Sequence, residues 1–270
     1  MTDHYGLIGY PVQQSKSPVM QNEAFRLANI DADYQLFAIE PNQLGEKFSE
    51  LVANGMRGFN VTMPFKQAII PYLDELSELS KTLGVVNTVV VKDGRTFGDI
   101  TDGQGFWSTI KQTPKNVVVL GTGGAAQAII ASAPSESQVH VFNRMTPAFR
   151  EKERTLAPLL QESLHNIAYV DQFLLKADLI INATNVGMQN NQSLLSPKQF
   201  ALTPNHVQVV DIIYKLNDTP FVAAAKKANR QTTDGLAMLV GQGALSFEKW
   251  TGIKPDQKAM MAAILREGRY

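Results

Sequence analysis

The sequence predicts an α/β fold in two units, and three observations carry that reading. Short β-rich runs alternate with amphipathic helical stretches along the chain. An almost wholly apolar run, Asn116 to Leu120, opens straight into Gly121-Thr122-Gly123-Gly124-Ala125-Ala126. The chain's 270 residues, 44% hydrophobic and 19% charged, suit a globular protein of one large or two ordinary domains.

Taken in order, Tyr5 to Gly9 reads as the first strand, and the loop Tyr10 to Ser17 leads to Pro18. Proline is tolerated in a helix's first turn, so Ser17 is the expected N-cap of a helix running to about Asn29. Tyr34 to Ile39, Gly58 to Val61 and Thr88 to Val91 are further strands, with helices between them. Asn116 to Leu120 suits a central parallel strand, because both faces of such a strand are buried. The glycine turn then feeds a helix to about Ala133. Strands are expected at Gln138 to Phe142, Asp178 to Asn182 and Val207 to Ile212. The last third reads as helices over Pro220 to Asn229, Gly235 to Trp250 and Asp256 to Arg266. The change of role near Asp102 to Gly105 marks the expected domain boundary.

Composition excludes several functions. With 25 basic and 25 acidic residues, no global charge favours nucleic acid or an anionic membrane. Cysteine is absent, which removes disulfides, thiol chemistry and cysteine-ligated zinc. His4, His140, His165 and His206 are scattered, without the close spacing of a metal-ligand motif, so no metal is expected. The N-terminus has no basic lead or long apolar core, and no run reaches the roughly 18 apolar residues of a membrane helix. The expectation is a cytoplasmic protein.

Gly121, Gly123 and Ala126 fill a G-x-G-x-x-A pattern between a strand and a helix. Gly121 permits the tight turn, Gly123 lets backbone approach a pyrophosphate, and Ala126 allows close helix–strand packing. The pattern predicts a Rossmann-like dinucleotide-binding unit. About 20 residues on, NAD-binding units usually carry a carboxylate for the ribose hydroxyls. Asn143-Arg144 stands there, and a guanidinium pairs with a 2′-phosphate, so NADP is favoured over NAD.

Further phrases complete the pattern: Gly9-Tyr-Pro11, Ser15-Lys-Ser17-Pro18, Asn60-Val-Thr62-Met-Pro64-Phe-Lys66 and Gly84-Val-Val-Asn87-Thr88. Gly98-Asp-Ile-Thr-Asp102-Gly, Asn182-Ala-Thr184-Asn-Val-Gly187-Met and Asp234-Gly235-Leu-Ala-Met238-Leu-Val-Gly-Gln242 follow in turn. In this order, over nearly the whole chain, they resemble the shikimate dehydrogenase family. The resemblance implies reversible NADPH-dependent reduction of 3-dehydroshikimate to shikimate, by a monomer or homodimer. It also implies a substrate domain of residues 1–104 plus 237–270 and a Rossmann-like NADP domain of residues 105–236, around a central cleft.

By the same resemblance, Lys66 and Asp102 are the proton-handling pair. Ser15, Ser17 and Tyr214 grip the substrate carboxylate, while Asn60, Thr62, Asn87 and Gln242 join Asp102 around the ring hydroxyls. The cofactor side comprises Gly121, Thr122, Gly123, Gly124, Ala125, Asn143, Arg144 and Thr184, with Ile212, Gly235 and Met238 beside the nicotinamide and Glu78 near the cofactor. Ketone reduction leaves charge on oxygen and needs an acidic group beside it, which explains the lysine. Each residue alone also has a structural reading. Asp102 would cap a helix from Gly103, Ser15 and Ser17 would cap the Pro18 helix, and Lys66 would be a surface lysine. Asn60 and Asn87 would satisfy strand ends, Gln242 would be an ordinary helix residue, and Met238 would be core.

The chain departs from the family pattern at Ile100, where asparagine is usual, and at Gln21, where histidine is frequent. Ala148 replaces a second arginine, and Arg150 comes two residues late. Two rivals follow: a broader quinate/shikimate dehydrogenase using NAD or NADP, and a nucleotide-binding sensor without turnover.

Overall fold

The computed structural model describes residues 2–215 and 217–268. It divides into two compact units, one built from the chain up to Gly105 and again from Leu239 onward, the other from Phe106–Met238. Met1, Arg269 and Tyr270, at the outer ends of the expected substrate domain, lie outside the described residues. No helix among the described residues is long and apolar enough to cross a membrane.

The first unit opens with β1 (Asp3–Gly9), α1 (Ser17–Leu27), β2 (Ala32–Ala38), α2 (Leu44–Ala53) and β3 (Met56–Val61). It continues through α3 (Phe65–Ala68), β4 (Glu75–Leu76), α4 (Glu78–Leu83), β5 (Thr88–Lys92) and β6 (Arg95–Asp99). Its sheet has the order β2-β1-β3-β5-β6-β4. β1 is parallel to both neighbours, whereas β5 is antiparallel to β3 and β6. The chain passes into the second unit within α5 (Asp102–Trp107).

There it forms β7 (Asn116–Leu120), α6 (Gly124–Ala131), β8 (Gln138–Asn143), α7 (Phe149–Leu156), β9 (His165–Asn166) and α8 (Asp171–Leu174). β10 (Leu179–Asn182), α9 (Pro197–Ala201), β11 (Gln208–Asp211), α10 (Pro220–Lys227) and β12 (Gln231–Thr233) follow. All pairings are parallel, in the order β12-β11-β10-β7-β8-β9. Strand order reverses at β7/β10, the doubly wound arrangement in which ligands bind at the strands' carboxyl ends. The chain returns to the first unit within α11 (Leu236–Thr251) and finishes with α12 (Gln257–Glu267).

Side-chain alternation explains how the layers hold. Val117 and Val119 of β7 enter one core with Ile129, Val141 and Ile181, while Val118 and Leu120 enter another with Phe142, Ile180 and Phe221. A strand buried on both faces therefore reads as an unbroken apolar run. In the first unit, Ile8, Phe59, Val61 and Val89 pack with Phe48 and Phe65. Tyr5, Phe25, Trp250 and Phe247 form a separate ring cluster, with centroids 4.9 to 5.1 Å apart.

Two expectations need correction. Ser17 is not the N-cap of α1: Lys16 holds that position without a side-chain cap. Ser17 is the first helical residue, and its N–H donates to Ser15 Oγ at 3.2 Å. Similarly, α5 begins at Asp102 and not at Gly103. The strand β6 was missed although its signal is local: Asp93 and Gly94 both have positive φ, 53° and 76°, as a tight hairpin requires.

Gly58 is forced by close packing. A Cβ there would lie 2.4 Å from Trp250 Nε1, which donates to Val89 O at 3.0 Å. Gly58→Ala is therefore expected to destabilise the protein by about 1–3 kcal/mol in urea unfolding, the usual cost of overpacking. An unchanged midpoint would contradict this contact.

Candidate functional site

The first unit gathers a polar network from segments far apart in sequence. Lys66, on the single turn α3, places Nζ 2.6 Å from Asp102 Oδ2. The lysine side chain is 24% exposed and the aspartate 8%, so the pair is reachable from one side. Asn87 precedes β5, and its Nδ2 donates to the other carboxylate oxygen, Oδ1, at 2.8 Å. The Asn87 Oδ1 accepts from the Thr101 N–H at 2.8 Å and the Thr88 hydroxyl at 2.9 Å. Asn87 Nδ2 also lies 3.4 Å from Gln242 Oε1.

A second layer holds Asn87. Asn60, at the end of β3, donates from Nδ2 to Asn87 O at 3.1 Å and to Ser246 Oγ at 2.9 Å. Ser246 on α11 is also 2.8 Å from Thr88 Oγ1. The Tyr34 hydroxyl donates to Asn60 Oδ1 at 2.8 Å. Burial pushes the Tyr34 phenol well above its ordinary pKa, with a hydrogen bond to Ser17 opposing that shift. Buried hydroxyls and amides run continuously from Ser17 to Lys66, and each has a partner, as low dielectric demands.

Ser17 is buried and Ser15 half-buried, with their hydroxyls 3.2 Å apart. Thr62 is half-buried just after β3. Glu78 does not join this network: its side chain is 89% exposed and pairs with Lys81. Tyr34, Thr88, Thr101 and Ser246 were not singled out from sequence. The Asn60–Ser246 contact spans 186 positions, and a small hydroxyl on a helix carries no local sign of it.

The second unit places its glycine turn at the switch point of its sheet. Gly121 has φ 120°, and a Cβ there would come 2.7 Å from Ala183 O and from Thr184 Cγ2. Around Gly123 the space is open, with nothing within 4 Å of a built Cβ. Gly124 and Ala125 start α6, whose exposed N–H groups favour an anion, while Ala126 is wholly buried. Thr122 Oγ1 accepts from Asn143 Nδ2 at 3.2 Å, tying the glycine turn to the end of β8. Arg144 is exposed and makes no ion pair among the described residues, whereas Arg150 pairs with Glu153 at 2.8 Å. These features fit a dinucleotide.

Asn182 organises the neighbouring loops, accepting from the Thr184 hydroxyl at 2.7 Å and donating to Asp211 Oδ1 at 3.0 Å. Burial raises the Asp211 carboxyl above its ordinary pKa, although Thr219 donates to it at 2.6 Å. Gly235 sits against Ile212, whose carbonyl would be 1.9 Å from a Cβ at that position. Met238 is 8% exposed, within the core that contains Val119 and Ile181. Tyr214 lies beyond β11, and burial raises its phenol pKa.

Residues 7–89 match the family model of the shikimate dehydrogenase substrate binding domain, and residues 235–265 match that of the shikimate 5'-dehydrogenase C-terminal domain. A Thermococcus kodakarensis protein named shikimate dehydrogenase (NADP(+)) is 40% identical over 268 residues, covering 97% of this chain and 95% of its own. The chain belongs to the shikimate dehydrogenase family. A solved shikimate dehydrogenase in complex with NADP+ has TM-score 0.89 at 32% identity, covering 100% of this chain and 96% of that one. The Thermus thermophilus enzyme, solved with NADP(H) and shikimate, has TM-score 0.87 at 32% identity, covering 98% of this chain and 99% of that one.

Two departures from the shikimate dehydrogenase pattern have structural settings. Ile100 is 2% exposed, and its N–H donates to Asp99 Oδ1 at 2.7 Å. Lys249 on α11 pairs with the other oxygen of Asp99 at 2.6 Å. Gln21 is wholly buried and donates to Gly243 O at 2.9 Å, joining α1 to α11.

The network makes Ser246 testable. Ser246→Ala removes an acceptor for Asn60 Nδ2 and a partner for Thr88. Asn60 and Thr88 each keep a bond to Asn87, so the loss should cost about 0.5–1.5 kcal/mol in chemical unfolding, the net worth of a hydrogen bond. A variant as stable as the parent would show that these hydrogen bonds do not contribute.

Proposed function

We propose that this chain is an NADP-dependent shikimate dehydrogenase, an oxidoreductase of the chorismate and aromatic amino-acid route. It reversibly reduces the ketone of 3-dehydroshikimate to the CH–OH of shikimate. The observation that carries this reading is the Lys66–Asp102 pair, 2.6 Å apart and braced by Asn87, in a chain with full-length family kinship. We assign substrate binding to the first unit and NADP binding to the second. The setting we propose is cytoplasmic, with a small-molecule substrate.

Bound NADPH supplies the hydride. The protein's own task is the proton and the charge that collects on oxygen during reduction. Lys66 gives a proton from Nζ to that oxygen, and in the oxidative direction its amine takes the hydroxyl proton back. Asp102 orients Nζ through Oδ2, while Asn87 holds Oδ1 so that the carboxylate cannot swing away. Asn60, Thr62, Asn87 and Gln242 are assigned to the substrate hydroxyls, with Ser15, Ser17 and Tyr214 at its carboxylate.

The glycine turn from Gly121 to Ala125 and the N-terminus of α6 would hold the cofactor's pyrophosphate. Asn143 and Arg144 are assigned to its adenosine phosphate, and Thr184, Ile212, Gly235 and Met238 to the nicotinamide end. The pairing of Arg150 with Glu153 leaves Arg144 as the guanidinium for this task. A lone guanidinium supports the second reading on the cofactor side alone, as tolerance of NAD, while Arg144 itself argues for NADP.

Initial rates with shikimate or quinate, each with NADP+ or NAD+, separate these readings. The expected result is turnover concentrated on shikimate with NADP+. Comparable rates with quinate or NAD+ would favour the broader enzyme, and bound NADPH without turnover would favour a sensor. In the same assay Lys66→Ala should lower kcat by about 10²–10⁴-fold, the usual worth of general acid–base catalysis. NADPH affinity, followed by fluorescence titration, should stay near that of the parent, and its loss would contradict the division of tasks.

A further inference from the structure

Two histidines that look unrelated in the sequence meet on the second sheet. His140 lies on β8 and His165 on the edge strand β9, where Phe142 is in register with His165. Both rings point a nitrogen at one carboxylate oxygen, Glu162 Oε1: His140 through Nδ1, and His165 through Nε2 at 2.8 Å. The three candidate ligand atoms lie within 4.8 Å of one another. His140 is 11% exposed, His165 24% and Glu162 34%, so the cluster is half-sunk with a solvent-facing side.

The segment that carries Glu162 is tied into the sheet. Gln161, next to Glu162, accepts from the Val139 N–H at 3.1 Å and donates to Ser137 O at 3.2 Å, fastening this segment along β8. Leu164, on the other side, is 4% exposed in the core. The imidazoles are held by aromatic packing: His165 stacks on Phe142 at 5.1 Å, and Phe173 lies 4.8 Å from His140 and 4.7 Å from His165. Two imidazoles and one carboxylate form a donor set preferred by zinc and neighbouring first-row ions.

From this arrangement we propose a divalent transition-metal site of the zinc type at His140 Nδ1, His165 Nε2 and Glu162, with solvent as the fourth ligand. Tetrahedral zinc with ligands at about 2.0–2.2 Å separates its ligand atoms by roughly 3.3 Å. The 2.8 Å separation between Glu162 and His165 therefore has to open by about half an ångström, and a pair as wide as 4.8 Å has to close by about 1.5 Å, movements that fall to the partly exposed Glu162 and His165. The two facing nitrogens must present lone pairs, so their protons move to the far ring nitrogens or leave. The ion would staple the two-residue edge strand β9 to β8, three residues before Asn143. Its role is structural, since none of its ligands belongs to the groups assigned to proton transfer.

The test is calorimetric titration of the chelator-treated, full-length protein with zinc chloride. The expected result is one saturable equivalent of micromolar or tighter affinity, accompanied by a rise in melting temperature that chelator reverses. Lost outer partners alone weaken metal sites by 10–100-fold, so Glu162→Gln and His165→Ala should each weaken zinc binding by at least about tenfold. His206→Ala, at the exposed pair with Asp178, should leave affinity unchanged. Glu162→Gln keeps the side-chain shape, and its shikimate turnover serves as the folding control. Absence of saturable zinc binding by the parent protein, or equal affinity in parent and Glu162→Gln, would overturn the proposal.

Discussion

Burying the Asp102 carboxylate is the constraint around which the first unit is arranged. A carboxylate taken out of water needs both a countercharge and hydrogen-bond donors, and losing either leaves an expensive orphan. Lys66 supplies the first and Asn87 the second, from opposite oxygens of the same group. For both to arrive, the end of β6, the start of β5 and the turn after β3 must hold their present register. That register is supported by backbone pairing of Asn87 N with Asp99 O at 3.0 Å, and of Val86 N with Lys66 O at 2.8 Å. The core beneath those strands provides stability; the polar chain above them determines where the lysine stands.

The second unit answers a different demand, if its glycine turn is the cofactor site proposed above: backbone has to come close to an anion. Its parallel sheet reverses order at β7/β10, and Gly121 makes the turn against the Ala183 carbonyl. A side chain at Gly121 would strike that backbone, whereas the space beside Gly123 is open. The same glycine-rich turn thus carries one glycine that packing requires and one that faces open space. Asn182 and Asp211 then shape the loops on the far side of the switch point through paired hydrogen bonds.

Much of this was legible in sequence wherever the physical cause was local. The apolar run of β7 reported burial on both faces, and the glycine spacing reported the turn. The phrases around Lys66 and Asp102 reported the family. What was not legible depended on long-range placement. Ser246 and Tyr34 complete the Asn60 environment from distant parts of the chain, and neither type of residue announces such a partner. His140 and Glu162 are 22 positions apart, so a search for close ligand spacing could not join them. Ser17 illustrates the opposite error: serine before proline is a sound cap signal, yet here Ser15 accepts the Ser17 N–H and the helix begins one residue earlier.

Lys66 and Asp102 are proposed to operate as one proton-handling unit. A double-mutant cycle on single-turnover ketone reduction, using Lys66→Ala, Asp102→Ala and the combined variant, reads this coupling. Groups that act as a unit are strongly non-additive, because the second removal takes away what the first already disabled. The combined variant should be barely slower than Lys66→Ala alone. Rate losses that multiply independently would contradict it, leaving the 2.6 Å contact as a structural ion pair without a shared catalytic task.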